Sequence, residues 1–242
     1  MKSSFFKFSI RDIVEIAVMC AFAVVLDTFV KIPIGANGGS INIASVPLFI
    51  VAYRHGWFKG LIASGVVFAL ITCILDAYGF QFFFFEYFIA FGSIAIGGLF
   101  GPMIFKTYNR KGVLAKILAI ELVILTVCIF FIIRTLAATA DSMIFYKYDL
   151  AASLIYNLSY IGPSCGIVAI LLPFLLPVFK SINETYPTVF LKGIDEGISQ
   201  GIEEGQNDLI KAIQMLRDNK TTEEIKAIGI SEHTIELAKG IK

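Results

Sequence analysis

Four polar side chains interrupt otherwise apolar stretches of the sequence: Asp27, Glu86, Arg134 and Asn157. An ionisable group within a membrane-crossing segment costs roughly 2.5 to 3.5 kcal/mol even on mild insertion scales, so each one requires a partner. Counted inward from the ends of their segments, all four lie roughly 6 to 11 Å deep at about 1.5 Å per residue. They therefore predict one polar layer near one face of a membrane protein.

Aromatic side chains are dense around this layer. They are Tyr78, Phe82, Phe83, Phe84, Phe85, Tyr87, Tyr146, Tyr148, Tyr156 and Tyr160. A carboxylate backed by ring faces suits a flat organic cation, because desolvated rings contribute about 0.5 to 2 kcal/mol of cation–π attraction. Glu86 would supply the charge and Tyr87 a ring. The pattern predicts a site for a small organic cation, with no catalytic residue and no metal.

Each polar residue also has a purely structural interpretation. Glu86 and Arg134 could neutralise each other, which would leave no charge for a ligand. Tyrosines near a membrane surface often serve as interfacial anchors. Asn157 could hydrogen-bond between helices, and for Asp27 and Arg134 we expect structural partners rather than ligand contacts. The sequence leaves these alternatives open.

The elements that would position these residues are long apolar segments. The chain is 57% hydrophobic and 16% charged over 242 residues, which is far from the balance of a soluble domain. A bilayer core about 30 Å thick takes roughly 20 apolar residues per crossing. Hydropathy predicts six such segments, at 13–32, 41–53, 58–76, 82–105, 113–140 and 150–179. We therefore expect an all-α integral membrane protein with six transmembrane helices.

The distribution of basic residues predicts the orientation. Most lie at one set of segment ends: Lys2, Lys7, Arg11, Arg54, Lys59, Lys106, Arg110, Lys111, Lys116 and Lys180. Lys31 and Lys147 lie at the other set. By the positive-inside rule both termini are cytoplasmic, and the external loops are 33–40, 77–81 and 141–149. His55, in the basic turn YRHG, and His233 are expected to be solvated.

The composition becomes polar after Pro187. We expect a membrane domain over residues 1–182 and a cytoplasmic tail over 183–242 with short helices at 208–217, 222–228 and 231–238. Thr221 and Ser231 are the predicted N-caps. Glycine recurs every fourth residue in GIDEGISQGIEEGQ and should weaken a helix there by about 1 kcal/mol per glycine.

Several function classes lack their motifs. The sequence has no GxxxxGK[ST] loop for ATP, no HExxH and no GxSxG. The four cysteines show no zinc spacing. A basic stripe for nucleic acid is also missing. We predict neither an enzyme nor a cofactor-binding protein, and any energy for transport would come from a partner or a gradient.

Three sequence stretches resemble one family. They are Ala17 and Ala21 in the first segment, GGSINIASVPLFIVAYRHGWFKGLIAS from Gly38 to Ser64, and FEYFIAFGSIAIGGLFG from Phe85 to Gly101. Over about residues 8–180 the chain is similar to the substrate-binding S-components of energy-coupling factor (ECF) vitamin transporters, most closely to the thiamine-specific ones. The asparagine of SLIYNLSYIG is a weaker match.

The resemblance implies a multi-pass protein of a bacterial cell membrane that binds thiamine near the outer surface. Glu86 would face the thiazolium, Tyr87 and Tyr78 would provide aromatic or hydroxyl contacts, and Asn157 would contact the pyrimidine. Ala17 and Ala21 would form the face that docks on a membrane coupling subunit driven by two ATPases. The bilayer, thiamine and these subunits are the expected partners.

Some positions depart from the family pattern. A histidine of the fifth helix corresponds to Phe131 or Arg134 here, and a tyrosine of the last helix corresponds to Ala152. One alternative is therefore an S-component for a thiamine precursor or another flat vitamin. Another is a membrane sensor or scaffold that acts through its C-terminal tail.

Overall fold

The computed structural model describes residues 6–34, 39–218 and 220–241. The chain divides into two compact units, with the boundary between residues 192 and 193. In the described part, the larger unit is helical apart from one short antiparallel hairpin. The smaller unit contains helices around a small core of its own.

The larger unit begins with α1 (Ile10–Phe29) and the hairpin strands β1 (Lys31–Pro33) and β2 (Ser40–Asn42). Four long helical segments follow: α2 (Ser45–Asp76), α3 (Phe80–Asn109), α4 (Val113–Phe145) and α5 (Leu150–Thr185). Among the described residues these four are long and apolar enough to cross a bilayer. The count of six crossing helices thus stays a prediction.

Helix α2 is broken at Gly56, whose φ of 85° and ψ of 173° are not helical. A Cβ atom on Gly60 would lie 3.0 Å from the Cα of Ala52. Eight residues along a straight helix span about 12 Å, so the chain must reverse between these two positions. Glycine permits the reversal because it adopts positive φ without steric cost. The segment is therefore two antiparallel helical arms.

The basic side chains at this reversal are buried, and the prediction that His55 is solvated is wrong. Lys59 Nζ lies 2.9 Å from Asp12 Oδ2, and an Arg54 nitrogen donates to Glu15 Oε2 at 3.0 Å. The ring nitrogens of His55 lie 3.5 Å from Asp12 Oδ1 and 3.4 Å from Glu15 Oε1. The amino-terminal end of α1 supplies both carboxylates, so the buried cations have local partners there.

The stretches predicted as external loops agree with the structure only in part. The first predicted loop falls on the β1–β2 hairpin, and its Gly35 and Gly38 lie outside the described residues. The second begins at Ala77, which adopts a left-handed conformation directly after α2. The third is shorter than predicted, because α4 continues to Phe145. Asp141 therefore lies on a helix rather than in a loop.

Two glycines of α3 allow it to approach the reversal in α2. A Cβ atom on Gly98 would overlap the backbone of Trp57, and one on Gly101 would overlap the carbonyl of Tyr53. The small-residue run of the sequence thus serves close helix packing, which membrane proteins commonly achieve with small residues.

In the smaller unit the predicted helix pattern is partly wrong. Helix α6 (Val189–Arg217), whose first four residues belong to the larger unit, is continuous through the repeated glycines, so the predicted piece 208–217 is only its carboxyl-terminal part. A Cβ atom on Gly197, Gly201 or Gly205 would meet nothing within 4 Å, so tertiary packing does not explain the helix there. His233 is exposed, as predicted.

Helices α7 (Thr222–Ala227) and α8 (Glu232–Ile241) complete this unit. Thr221 caps α7 reciprocally with Glu224, and the Ser231 hydroxyl accepts from the Thr234 amide at 3.2 Å, so both predicted caps are confirmed. The core of the unit consists of Ala212, Leu216, Ile225, Ile230, Ile235 and Ala238.

The close approach at Gly101 gives a testable prediction. Gly101→Ala should destabilise the larger unit by about 1 to 3 kcal/mol, because the new methyl group overlaps the backbone of Tyr53. Gly166→Ala, in α5, is the matched control, since a Cβ there meets nothing within 4 Å. Thermal unfolding in detergent measures both variants. Equal stability of the two would contradict the packing described here.

Candidate functional site

One end of the larger unit contains a cavity of about 260 Å³. It is formed by the carboxyl ends of α1, α2 and α4, the amino ends of α3 and α5, and the β1–β2 hairpin. Its charged lining residues are the acids Asp27, Asp76, Glu86 and Asp141 and the bases Lys31 and Arg134. Its aromatic and amide lining residues are Tyr78, Phe82, Tyr87, Phe91, Tyr146, Tyr156, Tyr160, Asn42 and Asn157. Acids outnumber bases, so the cavity favours a cation.

Two of the four carboxyl groups are engaged by the protein. The Asn42 side-chain amide donates to Asp27 Oδ1 at 2.8 Å. The Tyr87 hydroxyl donates to Asp76 Oδ2 at 3.0 Å, and Lys31 Nζ lies 3.8 Å from Asp76 Oδ1. These contacts also attach the hairpin to α1 and α2 at the rim of the cavity.

The other two carboxyl groups have no such partner. Within the described ranges, Glu86 forms neither a side-chain hydrogen bond nor a salt bridge, and Asp141 Oδ1 is buried without a hydrogen bond. Glu86 lies in Phe83–Ile89, where the backbone forms a π-helical turn. Such turns shift side-chain directions relative to an α-helix and are frequent at functional sites. The cavity thus contains two carboxyl groups that form neither a salt bridge nor a side-chain hydrogen bond within the described residues.

Arg134 does not neutralise Glu86 through a salt bridge. No nitrogen–oxygen distance of 4.0 Å or less joins the two side chains, and both fall in the described part of the chain. The Arg134 guanidinium carbon instead lies 4.6 Å from the centre of the Phe91 ring and 5.7 Å from that of Phe130. The interpretation of Glu86 and Arg134 as a closed ion pair is therefore not what the structure has.

Asn157 is buried and connects helices. Its amide nitrogen donates to the Ser142 hydroxyl at 3.1 Å and to the Ser153 carbonyl at 2.9 Å. Its carbonyl oxygen accepts from the Tyr160 hydroxyl at 2.8 Å. The contact with Ser142 holds α5 against α4. The helix-to-helix alternative that the sequence left open is thus realised, although the residue also lines the cavity.

The two predicted tyrosines differ in burial. Tyr87 is only 4% exposed, and its hydroxyl is used by Asp76, so what it offers the cavity is ring surface. Tyr78 is 54% exposed and lies in the loop between α2 and α3. The structure therefore brings Glu86, Tyr87, Tyr78 and Asn157 to one cavity.

Asp76 and Asn42 are among the polar lining residues that sequence reasoning missed. Asp76 is the last residue of a predicted apolar segment, where it resembles an ordinary helix end. Asn42 is the second residue of the predicted apolar segment 41–53, close to a stretch predicted as a loop. A signal for Asp76 was present, because it lies ten residues before Glu86 and across a short loop, which places both acids at the same membrane face. We did not use it.

Comparison with known proteins decides the family. The sequence profile of the thiamine transporter protein family (Thia_YuaJ) matches residues 13–184. The chain belongs to the thiamine transporter family. It is also 30% identical to the thiamine transporter ThiT of Bacillus subtilis (strain 168) over 177 residues, which cover 67% of this chain and 88% of that protein.

A solved structure of ThiT from Listeria monocytogenes supports the fold. It matches with a TM-score of 0.56 at 22% identity, and the match covers 74% of this chain and 96% of that one. Membership in the thiamine transporter family confirms the predicted family and makes the chain a transporter rather than an enzyme. With several apolar helices, this family member is a multi-pass membrane protein.

The alanine pair is placed apart from the cavity. Ala17 and Ala21 are both exposed on α1, one helical turn apart, whereas Ala23 on the same helix is fully buried. The pair therefore lies on a free face of α1 among the described residues. In this thiamine transporter family member, the cavity and the alanine face are different surfaces of the larger unit.

The Asn157 network predicts a stability effect. Asn157→Leu should destabilise the protein by about 1 to 3 kcal/mol, because it leaves buried hydroxyl groups of Ser142 and Tyr160 without this partner. Ser159→Ala is the control on the same helix, since its exposed hydroxyl bonds only to the Tyr156 carbonyl. Chemical unfolding in detergent measures both. If Asn157→Leu were as stable as the control, the network would carry no structural weight.

Proposed function

We propose that this chain is the substrate-capturing S-component of an ECF-type importer, and that it binds thiamine in the cavity near the outer face of a bacterial membrane. Partner subunits would then drive uptake with ATP. The observation that carries the proposal is the carboxylate of Glu86, which lines an aromatic cavity and has no described ion-pair partner. Family membership and the name of the Bacillus relative support thiamine as the cargo.

Thiamine fits this chemistry because it joins a permanently cationic thiazolium ring to an aminopyrimidine ring. Glu86 would face the thiazolium, and a charge-assisted contact in a low-dielectric cavity is stronger than one in water. The rings of Tyr87 and Tyr78 would cover the flat cation. Asn157 would contact the pyrimidine and would exchange one of its present hydrogen bonds to do so.

The proposed topology has six crossings, made by α1, the two arms of α2, and α3 to α5. The buried cluster around Asp12 and Lys59 would lie at the cytoplasmic end, and the cavity at the outer end. This places both termini in the cytoplasm, as the positive-inside rule predicts. In this topology the β1–β2 hairpin would lie on the external side, beside the cavity.

Coupling would use the exposed face of α1. Ala17 and Ala21 present little side-chain bulk, so a helix of the coupling subunit could approach the α1 backbone closely. The sequence contains no P-loop of its own, so two separate ATPase subunits would supply the energy. In this proposal the chain binds the cargo and its partners perform the energised step.

The main test is the charge of Glu86. Glu86→Gln should weaken thiamine binding by at least about 2 kcal/mol, because it removes one charge-assisted buried contact. Isothermal titration of the purified protein measures the affinity. Glu121→Gln is the matched control, since that carboxylate lies on an exposed part of α4 and its loss should leave affinity unchanged.

The titration also separates the cargo alternatives. If hydroxymethylpyrimidine bound more tightly than thiamine and Glu86→Gln had no effect, the cation assignment would be overturned. The class of vitamin-binding S-component would then remain, with a neutral cargo. Absence of binding heat with thiamine would count against the proposal as a whole.

The separate core of residues 193–242 favours one second candidate, a sensor or scaffold acting through this tail. Under the transport proposal, a chain that ends at Lys192 should keep its thiamine affinity and its uptake, since every cavity residue precedes this point. Uptake of labelled thiamine by cells that carry the partner subunits measures the effect. Loss of uptake with intact binding would instead assign the essential role to the tail.

A further inference from the structure

Arg134 is a buried cation that no carboxylate of the described residues approaches within salt-bridge distance. Its side chain is 5% exposed and lines the cavity. Neither a salt bridge nor a side-chain hydrogen bond joins it to any residue in the described ranges. A guanidinium carries five donor N–H groups, and a buried donor that stays unbonded is costly.

Aromatic rings contact the face of the Arg134 guanidinium, but no described residue accepts a hydrogen bond from the N–H groups at its edge. The rings of Phe91 and Phe130 lie 4.6 Å and 5.7 Å from the guanidinium carbon, which is a cation–π arrangement. Rings accept no in-plane hydrogen bonds from the N–H groups. The two carboxylates of the same cavity that lack partners, Glu86 and Asp141, do not approach within salt-bridge distance. The donor edge is therefore available to a guest in the cavity.

We propose that Arg134 donates a hydrogen bond to an acceptor atom of the cargo and thereby selects cations that also carry an acceptor. The inference rests on the proposed function and adds a specificity residue to it. In thiamine the candidate acceptors are the two ring nitrogens of the aminopyrimidine and the oxygen of the hydroxyethyl group. In this proposal Glu86 contacts the positively charged ring of the guest, and Arg134 donates to one of its acceptor atoms.

If Arg134 hydrogen-bonds to the guest, its removal should change thiamine affinity in the opposite direction from the change expected if it only packs against the protein. A positive charge in the cavity repels a cationic guest, so removal of Arg134 should tighten thiamine binding if the residue only packs against the two rings. If Arg134 donates to the guest, its removal should weaken binding by about tenfold or more, the usual loss for a hydrogen bond to a charged group. The two roles therefore predict opposite changes.

The experiment measures thiamine affinity of the full-length protein and of Arg134→Met by isothermal titration. Methionine keeps much of the apolar stem, so contact with Phe91 and Phe130 is retained. Weaker binding supports the proposal, and unchanged or tighter binding overturns it. If the unsubstituted protein does not bind thiamine at all, both the proposed function and this inference fall.

A set of analogues identifies the acceptor. Three thiamine analogues each lack one candidate: the two pyridine analogues that replace one pyrimidine nitrogen with carbon, and the analogue without the hydroxyl group. We expect one of them to bind the unsubstituted protein about tenfold more weakly than thiamine and to show no such penalty with Arg134→Met. Penalties that are the same in both proteins for all three analogues overturn the inference.

Arg134→Lys keeps the test decisive if Arg134→Met does not fold. Lysine retains the charge but presents a compact point donor in place of the planar fork. The analogue that reports on Arg134 should therefore show a smaller penalty with Arg134→Lys than with the unsubstituted protein. An unchanged penalty for every analogue would again overturn the proposal.

Discussion

An ionised carboxylate is hard to keep unpaired away from water, and this constraint organises the larger unit. The protein accepts it at Glu86 by placing the side chain at a cavity rather than in packed interior. Neighbouring acids are bound by local groups, Asp27 by Asn42 and Asp76 by Tyr87 and Lys31. The carboxyl groups that remain without such partners, Glu86 and Asp141, line the cavity, where a guest can reach them. The aromatic lining lowers the local polarity, so the attraction between a carboxylate and an entering cation is stronger there than in water.

Buried charged groups are paired at one end of the larger unit and only partly paired at the other. Around the reversal in α2, Lys59 and Arg54 are paired with Asp12 and Glu15, and these contacts fix α1 against its neighbours. About 22 Å further along α1, at 1.5 Å per residue from Asp12 to Asp27, the cavity begins. There the carboxyl groups are only partly satisfied. Paired charges stabilise the fold, whereas carboxyl groups without partners at a cavity can bind a guest. Polar groups that lack hydrogen-bond partners are expected locally at functional sites.

The depth of polar residues within apolar segments predicted that Glu86 and Asn157 would share one layer, and the structure brings both to one cavity. The segments themselves were also readable, because long apolar runs have few alternatives. Other features depend on contacts that a single sequence does not encode. His55 is buried beside Asp12 and Glu15 of α1, a tertiary contact that the local sequence YRHG does not indicate. Whether Asp141 lies on a helix or in a loop depends on where α4 ends, and sequence propensity locates helix ends poorly. The continuous helix α6 contradicts its glycine content, and its packing offers no explanation.

In the proposed function, the cavity recognises positive charge and not merely a flat vitamin of the right size. Charge recognition is measured by comparing thiamine with the isostere in which the thiazolium nitrogen is replaced by carbon, since the two molecules differ mainly in charge. Both affinities would be measured by titration of the unsubstituted protein at one salt concentration. We expect thiamine to bind at least about tenfold more tightly, the scale of one charge-assisted contact. Equal affinity for the charged and the uncharged molecule would contradict recognition of charge.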